Sequence, residues 1–159
     1  LEVMPYLRRL LMEKDIKLTI KFRPTRDGFK NWLLDNEPDI FKNKRIDTFE
    51  GGMQEAISNS DVVVGCHSTG VLEALLQLKV PVFLRTKKWG DYFGMTKSPD
   101  RRRFFAENPE QLIERIKSSS GIPKEVIIKL RDQYFGDPRK NGSAWVVERV
   151  IDCLLAKNS

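Results

Sequence analysis

The run Ser60-Asp-Val-Val-Val-Gly-Cys-His-Ser-Thr-Gly-Val-Leu-Glu-Ala-Leu-Leu76 gathers the residue types that anion chemistry needs into one short stretch. Three consecutive valines predict a fully buried parallel strand over Asp61–Gly65. A polar turn, Cys66-His-Ser-Thr-Gly70, follows at once, and then an apolar helix over Val71–Leu78. In open α/β sheets ligands bind beyond the carboxyl ends of the strands, so this turn is expected to face a crevice. Ser68 or Thr69 is the expected helix N-cap, with first-turn amides left to donate outward. Those amides, the helix dipole and the hydroxyls favour a phosphate, and Gly70 lets a ligand come close to the backbone. Glu73 is the only charge on that helix and shares a face with Gly70 and Gln77. One turn in from a phosphate, its carboxylate is placed to accept from a ribose diol. The plainer alternative is a solvated carboxylate that the helix dipole favours.

His67 is the single histidine. It either polarises a leaving phosphate or contacts a sugar, or is a turn residue bonded to backbone. One His beside Cys66 lacks the further ligands of a metal site, and no metal is expected. Cys66 makes a poor nucleophile candidate, because neighbours at a strand end are expected to point to opposite sides. Arg85, Lys87 and Lys88 follow a second apolar strand and stand either as neutralisers of a diphosphate or as solvated loop charges. Trp89 and Tyr92 are candidates to stack on a base or sugar. Arg101-Arg-Arg103 reads as a solvated charge run, or as a contact with anionic lipid or a lipid-linked acceptor.

The elements that must position these residues alternate strand and helix. Leu7, Leu10 and Leu11 recur at helical spacing within a helix over Leu1–Lys14, and Ile16, Leu18, Ile20 and Phe22 then alternate as a strand. A short helix around Phe29, Trp32 and Leu33, a strand over Arg45–Phe49 and a helix from Met53 to Ser58 precede the valine strand. Val82–Leu84 is a second buried strand, and Arg85–Arg103 is expected to be a long functional loop. Three helices close the chain: one capped by Asn108-Pro109, one from Pro123 to about Tyr134, and one from Ser143 through Leu155. The pattern predicts an α/β domain with a Rossmann-like, doubly wound parallel sheet and a helical C-terminal tail.

With 159 residues the chain fits a single domain. Its 28 Lys and Arg against 22 Asp and Glu give a net charge of +6, which suits polyanionic partners. Two cysteines match neither a disulfide framework nor a zinc pattern, so a reducing, cytoplasmic setting is expected. A first residue Leu1 and a helix that begins at once suggest an excised piece or a C-terminal domain of something longer.

Asp61-Val-Val-Val-Gly-Cys-His-Ser-Thr-Gly-Val-Leu-Glu-Ala, followed by Lys79-Val-Pro-Val-Phe, resembles the C-terminal domain of glycosyltransferase-B-fold enzymes. The likeness is closest to bacterial surface-polysaccharide transferases. CDP-glycerol glycerophosphotransferases and UDP-N-acetylglucosamine 2-epimerases are more distant relatives in fold. It covers roughly residues 17 to 116, including Phe105-Ala-Glu-Asn-Pro-Glu-Gln-Leu-Ile-Glu-Arg-Ile. The resemblance implies that Ser68, Thr69 and Gly70 hold the donor pyrophosphate, that Glu73 binds the ribose, and that the donor is a nucleotide-diphosphate sugar with no further cofactor. Many relatives carry His-Pro after the first strand. This chain has Arg23-Pro24, and Arg23 is the candidate to meet a phosphate or acceptor there. The fold's N-terminal domain, absent from these residues, would supply the acceptor site and often the base. The expected activity is sugar transfer to a surface-polysaccharide or lipid-linked acceptor, at most peripheral to the inner face of the membrane. Polyol-phosphate transfer and epimerisation are the alternatives within the resemblance. A basic nucleic-acid-binding or interaction module is the alternative outside it, without a zinc-finger, KH or RRM motif to support specific nucleic-acid binding.

Overall fold

The computed structural model of the chain describes residues 2–22 and 28–136. It is an α/β structure of seven α-helices, three short 3-10 turns and five strands among those residues. In chain order the α-helices and strands are α1 (Met4–Met12), β1 (Leu18–Lys21), α2 (Phe29–Asn36), β2 (Ile46–Phe49), α3 (Met53–Ser58), β3 (Val62–Gly65), α4 (Thr69–Leu76), β4 (Val80–Leu84), α5 (Arg101–Phe104), β5 (Phe105–Ala106), α6 (Pro109–Ser118) and α7 (Lys124–Phe135). Every strand pairing is parallel, as the strand–helix alternation predicts. The strands hydrogen-bond as two sheets, β1-β2 and β3-β4-β5, an arrangement compatible with a Rossmann-like fold. The expected helix over Ser143–Leu155 and the expected role of Arg23 fall outside the described residues.

Apolar packing joins the two sheets. Leu18 of β1 packs both on the cluster of Met4, Leu33, Ile40 and Ile46 and on a second one that includes Leu84 and Leu112. A third cluster lies around Phe83, Phe104, Leu75 and Ile127. All five residues of β4 are buried, which suits the central strand of its sheet. β3, expected to be fully buried, is half-buried at all four residues. It is an edge strand of its sheet, paired only with β4, so its valines are covered less completely.

Polar groups fix the helices to the strands. Tyr6 of α1 donates to the carbonyl of Arg85 at 3.0 Å, just past the end of β4. Arg45 donates to the carbonyls of Leu11, at 2.9 Å, and Glu13, capping the C-terminus of α1. Glu13 bridges Arg9 of α1 and Lys117 of α6, and hydrogen bonds from Lys117 and then Arg9 hold its carboxyl below the usual range. Asn108 caps α6 by accepting from the Gln111 amide at 2.9 Å, with Pro109 in the first turn, as expected.

Helix α4 departs from expectation at both ends. It opens at Thr69 and stops at Leu76, two residues earlier than the run of leucines suggests. The Leu78 amide bonds the Leu75 carbonyl at 3.1 Å and the Lys79 amide reaches the Ala74 carbonyl at 2.9 Å. This is a Schellman-type stop, and Leu78 takes the left-handed residue with φ of 53°. That conformation costs a leucine about 1–2 kcal/mol, offset where its side chain packs on the Phe83 cluster.

Candidate functional site

Ser68 is the N-cap of α4: it is extended, at φ −97° and ψ 131°, and its Oγ accepts from the Gly70 amide at 3.3 Å. Its carbonyl accepts from the Val71 amide at 3.1 Å. Two first-turn amides expected to point outward are therefore used internally. The Ser68 Oγ bond is long, and an anionic oxygen is a stronger acceptor. A phosphate arriving here would take over the Gly70 amide and receive the freed hydroxyl as a donor. Thr69 is exposed at the head of the helix.

Gly70, Glu73 and Gln77 do share one face, and that face lies against α3. A Cβ on Gly70 would stand 2.8 Å from Met53 Cε, so the absent side chain admits α3, where an open approach for a ligand was expected. Gln54 of α3 donates to Glu73 Oε2 at 2.7 Å, and Gln77 donates to Gln54 Oε1 at 2.7 Å. Glu73 is not a bare surface carboxylate, and among the described residues no cation pairs with it. A neutral amide orients it and leaves its charge uncompensated, a state suited to accepting from hydroxyl donors.

His67 and Cys66 converge, contrary to the expectation that they point apart: Cys66 Sγ lies 3.0 Å from His67 Nδ1. Strand geometry ends at Gly65, and strict alternation of sides ends with it. The His67 ring stacks on Trp89, with centroids 5.0 Å apart and planes at 24°, and meets the edge of Tyr92 at 6.3 Å. The turn after β3 and the loop after β4 are thereby joined at the carboxyl ends of two adjacent parallel strands.

That second loop is held firmly. Thr86 and Gly90 form an antiparallel bridge, and Thr86 Oγ1 accepts from the Trp89 amide at 3.1 Å. The Glu2 carboxylate accepts from the Lys88 amide at 3.0 and 3.1 Å. Burial alone would raise the Asp91 carboxyl. Hydrogen bonds from the Thr96 hydroxyl and from the Thr96, Met95 and Gly94 amides outweigh that and hold it below its ordinary range. Arg85 and Lys87 are exposed, and Arg85 pairs with Glu107 at 3.4 Å, which also pairs with Arg101. The predicted loop over Arg85–Arg103 thus contains a bridge, a 3-10 turn at Met95–Lys97 and helix α5.

Tyr134 of α7 buttresses the loop by donating to the Phe93 carbonyl at 2.8 Å. Burial first, and then the Asp91 charge, push its phenol up to about 12. The folded state therefore binds this proton more tightly than the unfolded chain, whose tyrosines titrate near 10. The contribution is fully present below pH 10 and is lost as the pH rises towards 12. Urea unfolding between pH 9 and 12 will show this alkaline loss, and Tyr134→Phe will reduce it.

Glu2, Tyr6, Gln54 and Glu107 were not legible as parts of this region. Their contacts span 86, 79, 19 and 22 positions, beyond any local motif. Among the described residues no group of three His, Cys, Asp or Glu is placed to hold a metal ion, and no helix is long and apolar enough to cross a membrane. Compared with protein-family models, curated proteins and solved structures, the chain matches none.

Proposed function

We propose that this chain is the donor-binding domain of an enzyme that transfers a group from a nucleotide-diphosphate donor, a glycosyltransferase of the glycosyltransferase-B type. The observation that carries the reading is the joining of two strand ends. The Ser68-capped start of α4 and the cationic, aromatic loop after β4 meet through the His67–Trp89 stack. Ligands of parallel α/β sheets bind at such carboxyl ends. The pyrophosphate is assigned to Ser68, Thr69 and the Gly70 amide, the ribose hydroxyls to Glu73, and charge neutralisation to Arg85 and Lys87. His67 is assigned to the leaving diphosphate, with developing charge stabilised by the helix amides and cations. The acceptor, a surface polysaccharide or a lipid-linked sugar, and the base that deprotonates it belong to a partner domain of the same enzyme.

Calorimetric titration with UDP, CDP, GDP and ADP tests this. One diphosphate binds saturably, and Glu73→Ala weakens it about 10- to 100-fold, the loss expected for hydrogen bonds to a charged acceptor. Selection of UDP or GDP favours sugar transfer, and selection of CDP favours the polyol-phosphate alternative. No saturable binding at millimolar nucleotide, or binding that Glu73→Ala leaves unchanged, contradicts the proposal.

A further inference from the structure

The positive charge of this protein is concentrated in one lobe. Residues 85–103 hold seven of its 28 Lys and Arg but only two of its 22 Asp and Glu, so five of the six net charges reside in 19 residues. All seven cations, Arg85, Lys87, Lys88, Lys97 and Arg101 to Arg103, are exposed. Of the two acids, Asp91 is turned onto Thr96 and Met95, and Asp100 pairs with Arg103 at 2.9 Å. Glu107, just beyond the lobe, offsets part of the charge by pairing with Arg85 and Arg101. The same lobe exposes Trp89 at 42% and Tyr92 at 53%, two of the six large apolar side chains most exposed among the described residues.

These aromatic side chains are not on a floppy segment. The Thr86–Gly90 bridge, the Glu2 clamp, the Asp91 turn and the Tyr134 hydroxyl all fix their backbone. A hydrogen-bonded loop that exposes two aromatic rings, in a segment of 19 residues with seven exposed cations, is suited to an anionic partner with an apolar layer. We propose that this lobe is a docking surface for an anionic phospholipid membrane. Trp and Tyr favour the headgroup level, where an apolar ring and a polar tip are both accommodated, and Lys and Arg add attraction to acidic lipid.

The alternative polyanion, single-stranded nucleic acid, needs open ring faces on which bases can stack. Here His67 stacks on Trp89, the Lys88 ammonium sits 4.9 Å from the Trp89 ring centre, and Tyr92 is edge-on to both Trp89 and Phe93. The Trp89 ring is thereby occupied by His67 and Lys88, which leaves less of it for a base to stack on. The lobe shares Arg85, Lys87 and Trp89 with the proposed donor site, so the membrane contact is tested at Lys88, Tyr92 and Arg102.

Co-sedimentation of the whole chain with vesicles tests it, using phosphatidylcholine alone and phosphatidylcholine mixed with the anionic lipid phosphatidylglycerol. The chain will sediment with the anionic vesicles at 0.1 M salt, as order of magnitude, and not with the neutral ones. Lys88→Gln/Arg102→Gln will weaken the partition roughly 25-fold, on the order of fivefold for each charge near the surface. Tyr92→Ser will weaken it at unchanged charge. The altered positions are exposed, and an unchanged thermal melt will show that the fold survives. Equal binding to neutral vesicles, no binding to anionic ones, or full binding by the double variant overturns the proposal. Tighter binding to a random single-stranded oligonucleotide than to anionic vesicles also overturns it, in favour of nucleic acid. These variants keep Ser68, Glu73, Arg85 and Lys87, so loss of vesicle binding with calorimetric nucleotide binding intact, or the reverse, tells the two proposals apart.

Discussion

Phe83→Ala will destabilise the protein by about 3–5 kcal/mol, the range for emptying a large aromatic site in a packed core. Phe83 is 1% exposed and lies on the central strand β4. Its ring sits 5.1 Å from Phe93 and 6.2 Å from Tyr134. The cavity therefore opens beneath the loop that carries Trp89 and Tyr92, and that loop will loosen ahead of global unfolding. Urea denaturation gives the stability change, and amide exchange of residues 91–96 reports the loosening. Leu34→Ala, at an exposed apolar position, serves as the control and should stay within about 0.5 kcal/mol. A Phe83→Ala loss below about 1 kcal/mol would mean that the β4 core is not packed as described.

Gly65→Ala will cost about 1–3 kcal/mol, the range for overpacking, and will also weaken diphosphate binding more than tenfold. A Cβ on Gly65 would stand 2.4 Å from Val71 Cγ2, far inside the roughly 3.5 Å of ordinary carbon contact. Val71 is β-branched and buried in the first turn of α4, so it has little freedom to turn aside. The start of α4 must move instead, and Ser68 and Gly70 move with it. Gly70→Ala is a useful contrast. Its new methyl would meet the flexible end of Met53, which can shift cheaply. If the clash with Val71 is the cause, Gly65→Ala/Val71→Ala will be more stable than the sum of the two single losses predicts. Strict additivity would show that Gly65 acts through some other contact.

Much of the architecture follows from local sequence rules, and the exceptions have physical causes. α2, β2 and α3 form within a residue of where periodicity and apolar runs place them, whereas β1 is shorter than the alternation over 16–22 and β4 begins two residues before Val82, at Val80. The β3 valines suggest full burial because hydropathy reports on faces and carries no information about which strand lies at an edge. Helix α4 ends without the glycine that usually marks such a stop, since Leu78 itself adopts the left-handed conformation. β5 is two residues long, too short to show alternation. At the candidate site, the N-cap was legible as Ser68 or Thr69, because a cap is decided within three residues of chain, and it is Ser68. The orientation of Glu73 by Gln54 was not, because it depends on the docking of α3 against α4. Likewise Met53, from a different helix, fills the space that Gly70 seemed to reserve for a ligand.

The most direct test of the account is a map of where a nucleotide binds. Amide chemical shifts of the isotope-labelled chain, followed while UDP, CDP, GDP or ADP is added, give that map. Saturable shifts with a common midpoint are expected at His67 to Glu73 and at Arg85 to Tyr92, largest at Thr69, Gly70 and Val71. Shifts that never saturate, or that saturate only among the cations of 97–103 with the first turn of α4 unmoved, would contradict it.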